Sequence, residues 1–584
     1  MVKVRYGGQE YSKSTNKGCV QGSIGGPTLW NLLLDPLLKG LDRRGDYCQA
    51  FADDVVLVFD ADRAVDIQRQ ANAALAHVQR WGQDNKLNFA AHKTKAMIVT
   101  NKLKYDTPAL SMGGVDIGFS KEIKILGLTI DDKLTFNSHV AEVCKKALNI
   151  YKQLSRAAKV SWGLHPEVIR LIYTATVEPI IMYAASAWAP ATKKLGIQKH
   201  LNAVQRGFAQ KLTKAYRTVS LNSALLLAGI LPLDLRIQEA AALYEARRGK
   251  EPELRHGEGE VELVTAYAET PHPAEHMELE FINLVDQQQV EAHNCQAVKI
   301  YTDGSKIDGK VGAALSLWNN EAQFKAIKLK LSPYCTVYQA ELLAICKATR
   351  VILDRQETSF GIFSDSRSAL ETIVNHNTRH PLATEARSNL SRCKSQNKTV
   401  NLFWIKAHAG LEGNEAADKL AKEAAKTLKR KPHYEQCPVS FVKRKIRMDS
   451  LAEWNRRYKS GTTASITKIF FPDAIDAYRT VRKIEINNVL TQVMTGHGGF
   501  SEYLNRFKCK ESPSCTCDPQ QVESIPHLLF DCPVYGFSRY ELEQRAGVTL
   551  SAENAKHIIM NKEVRQAFLE YCINIANKVI ARNK

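Results

Sequence analysis

The sequence predicts a multidomain protein that combines α/β and α+β architecture, and three observations carry this prediction. A chain of 584 residues exceeds the roughly 250–300 residues at which a single hydrophobic core stops growing. Between residues 297 and 429, strand and helix patterns alternate in the order βββαβαβα, which is typical of a mixed sheet covered by helices. Residues 138–249 have the apolar spacing of helices, and residues 430–584 form a basic helical tail with a Cys/His cluster.

The net charge of the chain indicates what kind of partner it binds. The formal charge of +19 is unusual for a chain that is otherwise ordinary, with 44% hydrophobic and 24% charged residues. Such an excess favours nucleic acid as a partner, and a merely basic soluble protein is the alternative. Residues 139–217 carry thirteen Lys or Arg and three Glu, whereas residues 251–295 carry eleven acids and one Arg. We therefore expect a nucleic-acid-facing module, then a solvated acidic linker over 250–296.

The cysteine content and the N-terminal segment indicate an intracellular protein. Thirteen cysteines are too few and too scattered for a secreted disulfide scaffold. The N-terminal residues contain no apolar core of a signal peptide, and no run approaches the ~18 apolar residues of a membrane span. We expect the nucleus or the cytoplasm as the location, and no membrane partner.

Four carboxylates in the region 297–429 stand in distinctive local frames. They are Asp303 in YTDGS, Glu341 in QAEL, Asp365 in FSDS and Asp418 in GNEAAD. Two-metal hydrolysis of a phosphodiester needs several carboxylates around two cations that lie roughly 3.5–4 Å apart. Any one of these acids alone is more often a surface charge, but their joint order, two at strand ends and two on helices, predicts one nuclease site.

Residues 298–428 resemble the type-1 ribonuclease H domain over its whole length. The resemblance implies that the four carboxylates hold two Mg²⁺ or Mn²⁺ ions and that His408, in KAHAGLEGN, transfers protons. It further implies that Asn414 helps to shape the site, and that Gly304 and Ser305 form a turn that approaches the RNA backbone. The implied reaction is cleavage of the RNA strand in an RNA–DNA hybrid.

A second acidic pair, Asp53 and Asp54 in FADD, lies where two predicted strands meet. A helix pattern over 29–41 precedes the pair, and an amphipathic helix pattern over 61–82 and strand patterns at AMIVT and IKILGLTI follow it. FADD and the segment before it, GCVQGSIGGPTLWNLLLDPLL, resemble the palm and primer–template motifs of reverse transcriptases, and LNFAAHKTKAM resembles the palm motif that follows. By that resemblance the nucleic-acid-binding residues are Gln21, Gly22, Lys93 and Lys95.

The order of all these segments resembles the pol-type protein of jockey-like, type-1 non-LTR retrotransposable elements, from about residue 2 to residue 535. Such polymerases carry a further catalytic Asp in an earlier palm strand, whereas the only carboxylate here before Cys19 is Glu10. We therefore expect an N-terminally truncated chain whose polymerase is incomplete. The expected domains are a palm remnant (1–137), a helical thumb (138–249), the linker (250–296), the ribonuclease H domain (297–429) and the tail (430–584).

The tail contains a metal-binding pattern. Cys515 and Cys517 are followed after nine residues by His527 and after four more by Cys532. Three thiolates and one imidazole suit tetrahedral Zn²⁺, with Cys509 as a possible substitute ligand. Buried cysteines without a metal are the alternative. A similar cluster ends related retroelement proteins, which implies a small metal-stapled contact with nucleic acid.

These observations predict a retroelement pol protein that binds RNA, DNA and their hybrid and cleaves the RNA strand of the hybrid. The alternative is a nucleic-acid-binding relic of a decayed element, without catalysis. The intact nuclease acids favour the enzyme and the missing palm strand favours the relic.

Overall fold

The computed structural model describes residues 2–14, 22–160, 162–249, 259–293, 295–319, 322–407, 409–427, 429 and 431–584. The chain divides into two compact units, Met1–Glu142 and Val143–Lys584.

The described strands of the first unit pair two by two. The pairs are β1 (Val2–Tyr6) with β2 (Gln9–Lys13), β3 (Tyr47–Phe51) with β4 (Asp54–Val58), β5 (Lys95–Ala96) with β8 (Gly118–Phe119), β6 (Ser111–Met112) with β7 (Val115–Asp116), and β9 (Glu122–Ile125) with β10 (Leu128–Asp131). The two predicted helices are α1 (Gly26–Arg43) and α2 (Ala64–Asp84), and their apolar faces share one core. The strand predicted across AMIVT is limited to β5, since residues 97–100 have no strand pairing.

The helical prediction for residues 138–249 is confirmed. The helices are α3 (Asn137–Ala157), α4 (Pro166–Ile172), α5 (Glu178–Met182), α6 (Ala185–Trp188), α7 (Leu195–Leu212), α8 (Leu221–Ala228) and α9 (Leu233–Ala246). Trp188 and Phe208 are fully buried among them. The buried Gln205 amide donates to the Leu231 carbonyl at 2.7 Å and accepts from the Leu233 amide at 2.9 Å, so it fixes the entry to α9.

A six-stranded sheet with helices on both faces follows. Its elements are β11 (Phe281–Leu284), α10 (Gln287–Ala292), β12 (Val298–Ile307), β13 (Lys310–Asn319), β14 (Ala322–Leu331), α11 (Val337–Leu353), β15 (Ser359–Ser364), α12 (Arg367–Val374), α13 (Pro381–Ser395), β16 (Thr399–Ile405) and α14 (Glu412–Thr427). The strand order is β11-β16-β15-β12-β13-β14. Strands β12 to β14 are antiparallel, and the other pairs are parallel. From β12 to α14 the order is βββαβααβα, so the predicted βββαβαβα arrangement is confirmed with one additional helix, since α12 and α13 both lie between β15 and β16.

The alternation along β12 divides the core of this sheet into two layers. Val298 and Ile300 pack with α11, α12 and α13 on one face, whereas Tyr301 packs with Ala417 of α14 on the other. Because successive strand residues point to opposite faces, this is the pattern of a central strand buried on both sides. Gly312 of β13 allows α14 to approach closely, since a Cβ atom there would lie 2.4 Å from the Ala425 amide nitrogen.

The described part of the acidic linker, residues 259–293, is not a solvated connector as predicted. We call this segment the strap. Its strand β11 extends the sheet by pairing in parallel with β16, with Phe281 opposite Leu402. The half-buried Glu262 carboxylate accepts hydrogen bonds from Gln339 of α11, at 2.9 Å, and from the Tyr434 hydroxyl. The strap therefore closes one edge of the sheet and holds the start of α11.

The C-terminal tail packs back onto the helices that precede the strap. Its helices are α15 (Val439–Ser460), α16 (Ser465–Phe470), α17 (Ala474–Thr480), α18 (Asn488–Thr495), α19 (Ser501–Arg506), α20 (Gly536–Ala546), α21 (Ala555–Met560) and α22 (Arg565–Arg582). Arg447 of α15 pairs with the buried Glu239 of α9 at 2.6 Å, and Arg457 pairs with the buried Asp234 at 2.5 Å. The segments 138–249 and 430–584 were predicted as separate domains, yet these buried pairs join them.

Among the described residues, no single helix is long and apolar enough to cross a membrane. One pair of helical segments, Pro166–Met182 and Ala185–Lys193, has sufficient length and apolar composition only when both segments are taken together, and the chain bends by 51° between them.

Candidate functional site

Three of the four predicted nuclease carboxylates come together at one point of the six-stranded sheet. Strands β12 and β15 are parallel neighbours with Thr302 opposite Ser364, so the next residues, Asp303 and Asp365, emerge side by side. Carboxylate oxygens of Asp303, Glu341 and Asp365 all lie within 4.8 Å of one another. Such a group of oxygen donors suits a hard dication.

Helix α11 positions Glu341 in this group. The helix begins with a capping box, in which the Thr336 side chain and the Gln339 side chain bond each other's backbone amides. Gly304 then lets the helix lie directly on β12, because a Cβ atom there would be 2.7 Å from the Glu341 amide nitrogen. Gly304 and Ser305 lie within β12, so the predicted turn at this point is wrong, and their contact with RNA stays a prediction.

The electrostatics of the carboxylate group favour a bound cation. Burial, and next the charges of Asp365 and Asp418, raise the pKa of Asp303 to about 7. Burial, with Asp303 and Asp365, also raises the pKa of Glu341 well above its ordinary value. One oxygen each of Asp303 and Glu341 is buried without a hydrogen-bond partner. Buried carboxylates without partners are costly unless a positive charge neutralises them, so these residues fit divalent cations.

The fourth predicted ligand, Asp418, lies near this group but outside it. Its Oδ2 atom is 2.6 Å from the Nζ atom of Lys422, one turn later on α14. Asp418 is still close enough to raise the pKa of Asp303. Its role as a metal ligand stays a prediction. Lys422 was missed by the sequence reasoning, although the i,i+4 spacing of an acid and a lysine on a helix is the signal for such a pair.

Two further residues surround the carboxylates. Asn414, at the start of α14, is 4% exposed, and its Oδ1 atom has no hydrogen-bond partner. The indole nitrogen of Trp404 donates to the Asp365 carbonyl at 3.0 Å and so fixes the backbone behind that carboxylate. Trp404 was not predicted from the sequence, because it occupies an ordinary strand position. His408, the predicted proton-transfer residue, lies outside the described residues.

The predicted zinc ligands of the tail form a second group. Cys515, Cys517, His527 and Cys532 each offer a ligand atom within 4.8 Å of the others. The sulfur atoms of Cys515 and Cys532 are 3.9 Å apart, and Cys517 Sγ is 3.2 Å from His527 Nε2. Zn–S bonds of about 2.3 Å and Zn–N bonds of about 2.0–2.1 Å imply ligand separations close to these in a tetrahedral site.

The surroundings of this group also fit a metal. Burial, together with the neighbouring sulfur atoms of Cys515 and Cys532, raises the pKa of Cys517 to about 12. A dication among these donors lowers thiol pKa values and converts their mutual repulsion into attraction. The possible substitute Cys509 is exposed and outside the group, and its thiol contacts the Phe507 carbonyl.

The polymerase residues form no comparable cluster among the described residues. Asp53 and Asp54 are exposed at the turn between β3 and β4. The turn is fixed by Ala52, which has a left-handed φ of 51° and whose carbonyl accepts from the Trp30 indole at 2.7 Å. Among the described residues, neither acid belongs to a group of three possible metal ligands.

The nucleic-acid-binding residues predicted for this unit lie on its surface where the structure describes them. Lys93 and Lys95 are exposed, and Gly22 is exposed with a positive φ of 83°. Gln21 lies outside the described residues. Their binding roles stay predictions.

Comparison with known proteins identifies the two chemical regions. The family model for RNase H matches residues 295–426, the segment that contains the carboxylate group. The family model for reverse transcriptase (RNA-dependent DNA polymerase) matches residues 1–130. The chain therefore carries an RNase H domain behind a reverse transcriptase segment.

Similar curated proteins belong to retrotransposable elements. A Pol polyprotein from the type-1 element R1 2 of Nasonia vitripennis is 31% identical over 40% of this chain and 58% of its own length. A putative 115 kDa protein of the type-1 element R1DM of Drosophila melanogaster is 28% identical over 40% of this chain and 23% of its own length. The solution structure of the PFV RNase H domain is 19% identical, with a TM-score of 0.20, over 22% of this chain and 94% of that one.

The two domains in this order, together with such relatives, support a pol-type protein of an R1- or jockey-like non-LTR retrotransposable element. The chain spans less than two thirds of the length of these curated relatives.

Proposed function

We propose that this chain cleaves the RNA strand of RNA–DNA hybrids at the group formed by Asp303, Glu341 and Asp365. The observation that carries the proposal is the convergence of these three carboxylates within 4.8 Å, with buried oxygens that lack partners, inside a domain of the RNase H family. Mg²⁺ or Mn²⁺ is the expected cofactor, and the bound ions would activate water and stabilise the leaving oxygen.

The protein's own contribution is positioning. Asp303 and Asp365 are fixed by the pairing of two central strands, and Glu341 by the capped start of α11. Lys422 holds the Asp418 carboxylate, which is the candidate for a further ligand beside the group. Asn414 has an unused oxygen and is the candidate for a contact with the substrate strand. We propose His408 as the proton-transfer residue, so His408→Ala should slow cleavage by roughly the 10²–10⁴-fold of a lost acid–base group.

The test is cleavage of a hybrid with a labelled RNA strand by the purified full chain. We expect cleavage with Mg²⁺ or Mn²⁺ and none of duplex DNA. Asp365→Asn should abolish cleavage but keep hybrid binding, because most affinity comes from backbone contacts outside the site. The matched control is Asp354→Asn, an exposed carboxylate at the end of α11, which should cleave normally. A folded chain that binds the hybrid but cuts with neither metal would support the relic instead.

We also propose that the tail binds one Zn²⁺ through Cys515, Cys517, His527 and Cys532. The support is the close approach of three sulfur atoms and one imidazole nitrogen, three of whose residues are buried. Structural zinc contributes directly to folding, so the metal would fix the irregular segment around these residues rather than take part in cleavage.

A further inference from the structure

Four lysines surround one cavity at the end of the six-stranded sheet. The cavity has a volume of about 560 Å³, and its lysines come from three elements and the segment after α14. They are Lys310, Lys330, Lys426 and Lys429. Val311 and Leu331 form part of the apolar wall between them. Ammonium groups around an apolar wall attract anions, so this cavity is a candidate anion-binding site.

The nearby acids do not neutralise this cavity. Glu423 of α14 is paired with Lys328 at 2.6 Å, and Asp418 is paired with Lys422 at 2.6 Å. Asp308, in the turn between β12 and β13, is exposed and forms no ion pair with a described residue. None of the four cavity lysines has an ion-pair partner in the part of the chain that the structure describes. Their mutual repulsion therefore remains for a ligand to relieve.

Two distances, one along β13 and one along α14, show that the cavity lies close to the carboxylate group. Asp303 is paired with Ala314 on β13. Lys310, at the start of that strand, is four residues before Ala314, or about 13 Å away at about 3.3 Å per residue. On α14, Lys426 is eight residues, or about 12 Å at 1.5 Å per residue, from Asp418, which lies beside the carboxylate group.

A charged stripe on α14 connects the two places. Asp418, Lys422 and Lys426 follow one another at intervals of four residues, so they share one side of the helix. Lys422 and Lys426 are both exposed. A strand laid along this side would therefore meet the carboxylates and the lysine cavity in succession.

We propose that the lysine cavity holds a backbone phosphate of the hybrid that is bound at the carboxylate group. This inference rests on the proposed nuclease function and deepens it. Nucleic acid rises by about 3.4 Å per nucleotide, so the phosphate lies within about four nucleotides of the bond that is cut. Lysine is a compact point charge and a common phosphate ligand, and several lysines around an apolar wall accept a phosphate without reading the base.

The first test measures binding of the full chain to a fluorescent hybrid over a range of salt concentrations, with divalent metal chelated so that the RNA is not cut. The cavity variant is Lys310→Gln/Lys330→Gln/Lys426→Gln. The matched control, with the same change of charge at exposed lysines outside the cavity, is Lys325→Gln/Lys394→Gln/Lys562→Gln. In the cavity variant, the slope of log K against log salt should become shallower by about 0.9, the value for one phosphate. The control should keep the slope of the unmodified chain.

The second test locates the phosphate. Single neutral methylphosphonates are placed along the hybrid at successive distances from the cleaved bond, and KM is measured with Mg²⁺. A substitution within about four nucleotides should raise KM for the unmodified chain but not for the cavity variant, with kcat unchanged.

Equal salt slopes in the cavity variant, the control and the unmodified chain would overturn the inference, as would a methylphosphonate effect that persists in the cavity variant. Because the salt slope is measured without cleavage, it also tests the cavity if the nuclease proposal fails. If the unmodified chain cleaves the hybrid and the cavity variant keeps the same salt slope, the nuclease proposal stands and only the proposed phosphate contact at the cavity is contradicted.

Discussion

Replacing Glu341 by Gln should stabilise the metal-free domain and weaken its response to Mg²⁺. Glu341 is 7% exposed, and one of its oxygens has no hydrogen-bond partner. Gln has nearly the same shape and nearly the same helix propensity, so the change removes a charge and little else. The effect should therefore report the repulsion among the three carboxylates.

The size of this effect follows from the geometry. Two unit charges 4.8 Å apart repel by about 3.5 kcal/mol at an effective dielectric constant of about 20, and Glu341 has two such neighbours. Protonation relieves much of this repulsion, because burial and these neighbours raise the pKa of Glu341 well above its ordinary value. We expect the remaining gain in the free energy of unfolding to be about 1–2 kcal/mol, or roughly a 5–30-fold slower hydrogen exchange.

Hydrogen exchange of the peptides that cover β12 and α11 measures this gain in the full chain, with and without Mg²⁺. The unmodified chain should gain about 2.7 kcal/mol of protection when Mg²⁺ is about 100 times its Kd, and the Gln variant should gain much less. Glu371→Gln, an exposed helical position in the same domain, is the control and should behave like the unmodified chain. Faster exchange in the Glu341→Gln variant without metal, or an undiminished response to Mg²⁺, would refute the reasoning.

Three further outcomes are expected. Cys517→Ser should reduce the zinc content from about one ion per chain to almost none in elemental analysis, whereas Cys509→Ser should leave it unchanged; equal zinc in both variants would remove the proposed ligand set. Glu262→Ala should destabilise the sheet by about 1–3 kcal/mol, since it removes the acceptor of the hydrogen bonds from Gln339 and Tyr434, and unchanged hydrogen exchange in α11 would show that the strap does not hold the helix. The purified chain should not extend a primer on an RNA template, because the acids at the β3–β4 turn have no third carboxylate beside them among the described residues. Template-dependent incorporation that Asp53→Asn abolishes would contradict this last expectation.

The sequence predicted those parts of the sheet whose apolar spacing is strong. The pattern AQFKAIKLKL coincides with β14, and the predicted helix from Val337 coincides with α11 to within one residue at its end. These elements were predictable because their buried residues are apolar and recur along the sequence with the period of the helix or strand that they form. The group of Asp303, Glu341 and Asp365 was predictable because each acid stands in a distinctive local frame.

The contacts that were missed depend on tertiary structure. Strand β11 has only four residues within an acidic segment, so composition outweighed its short apolar run. Gly304 was interpreted as part of a turn, whereas its lack of a side chain serves the packing of α11 on β12. One missed contact, the pair of Lys422 with Asp418, is local, and its i,i+4 spacing on a helix is visible in the sequence.

The strap has a consequence for how the protein is made. Phe281 leaves the ribosome before its partner Leu402, which follows about 120 residues later, so at about 5–20 residues per second the strand waits roughly 6–24 s. Glu278 and Glu280 stand immediately before this apolar strand, and Asp286 follows it closely. Charges beside an unpaired strand oppose its pairing with other chains. The acidity of this segment therefore protects a strand that is synthesised long before the sheet that receives it.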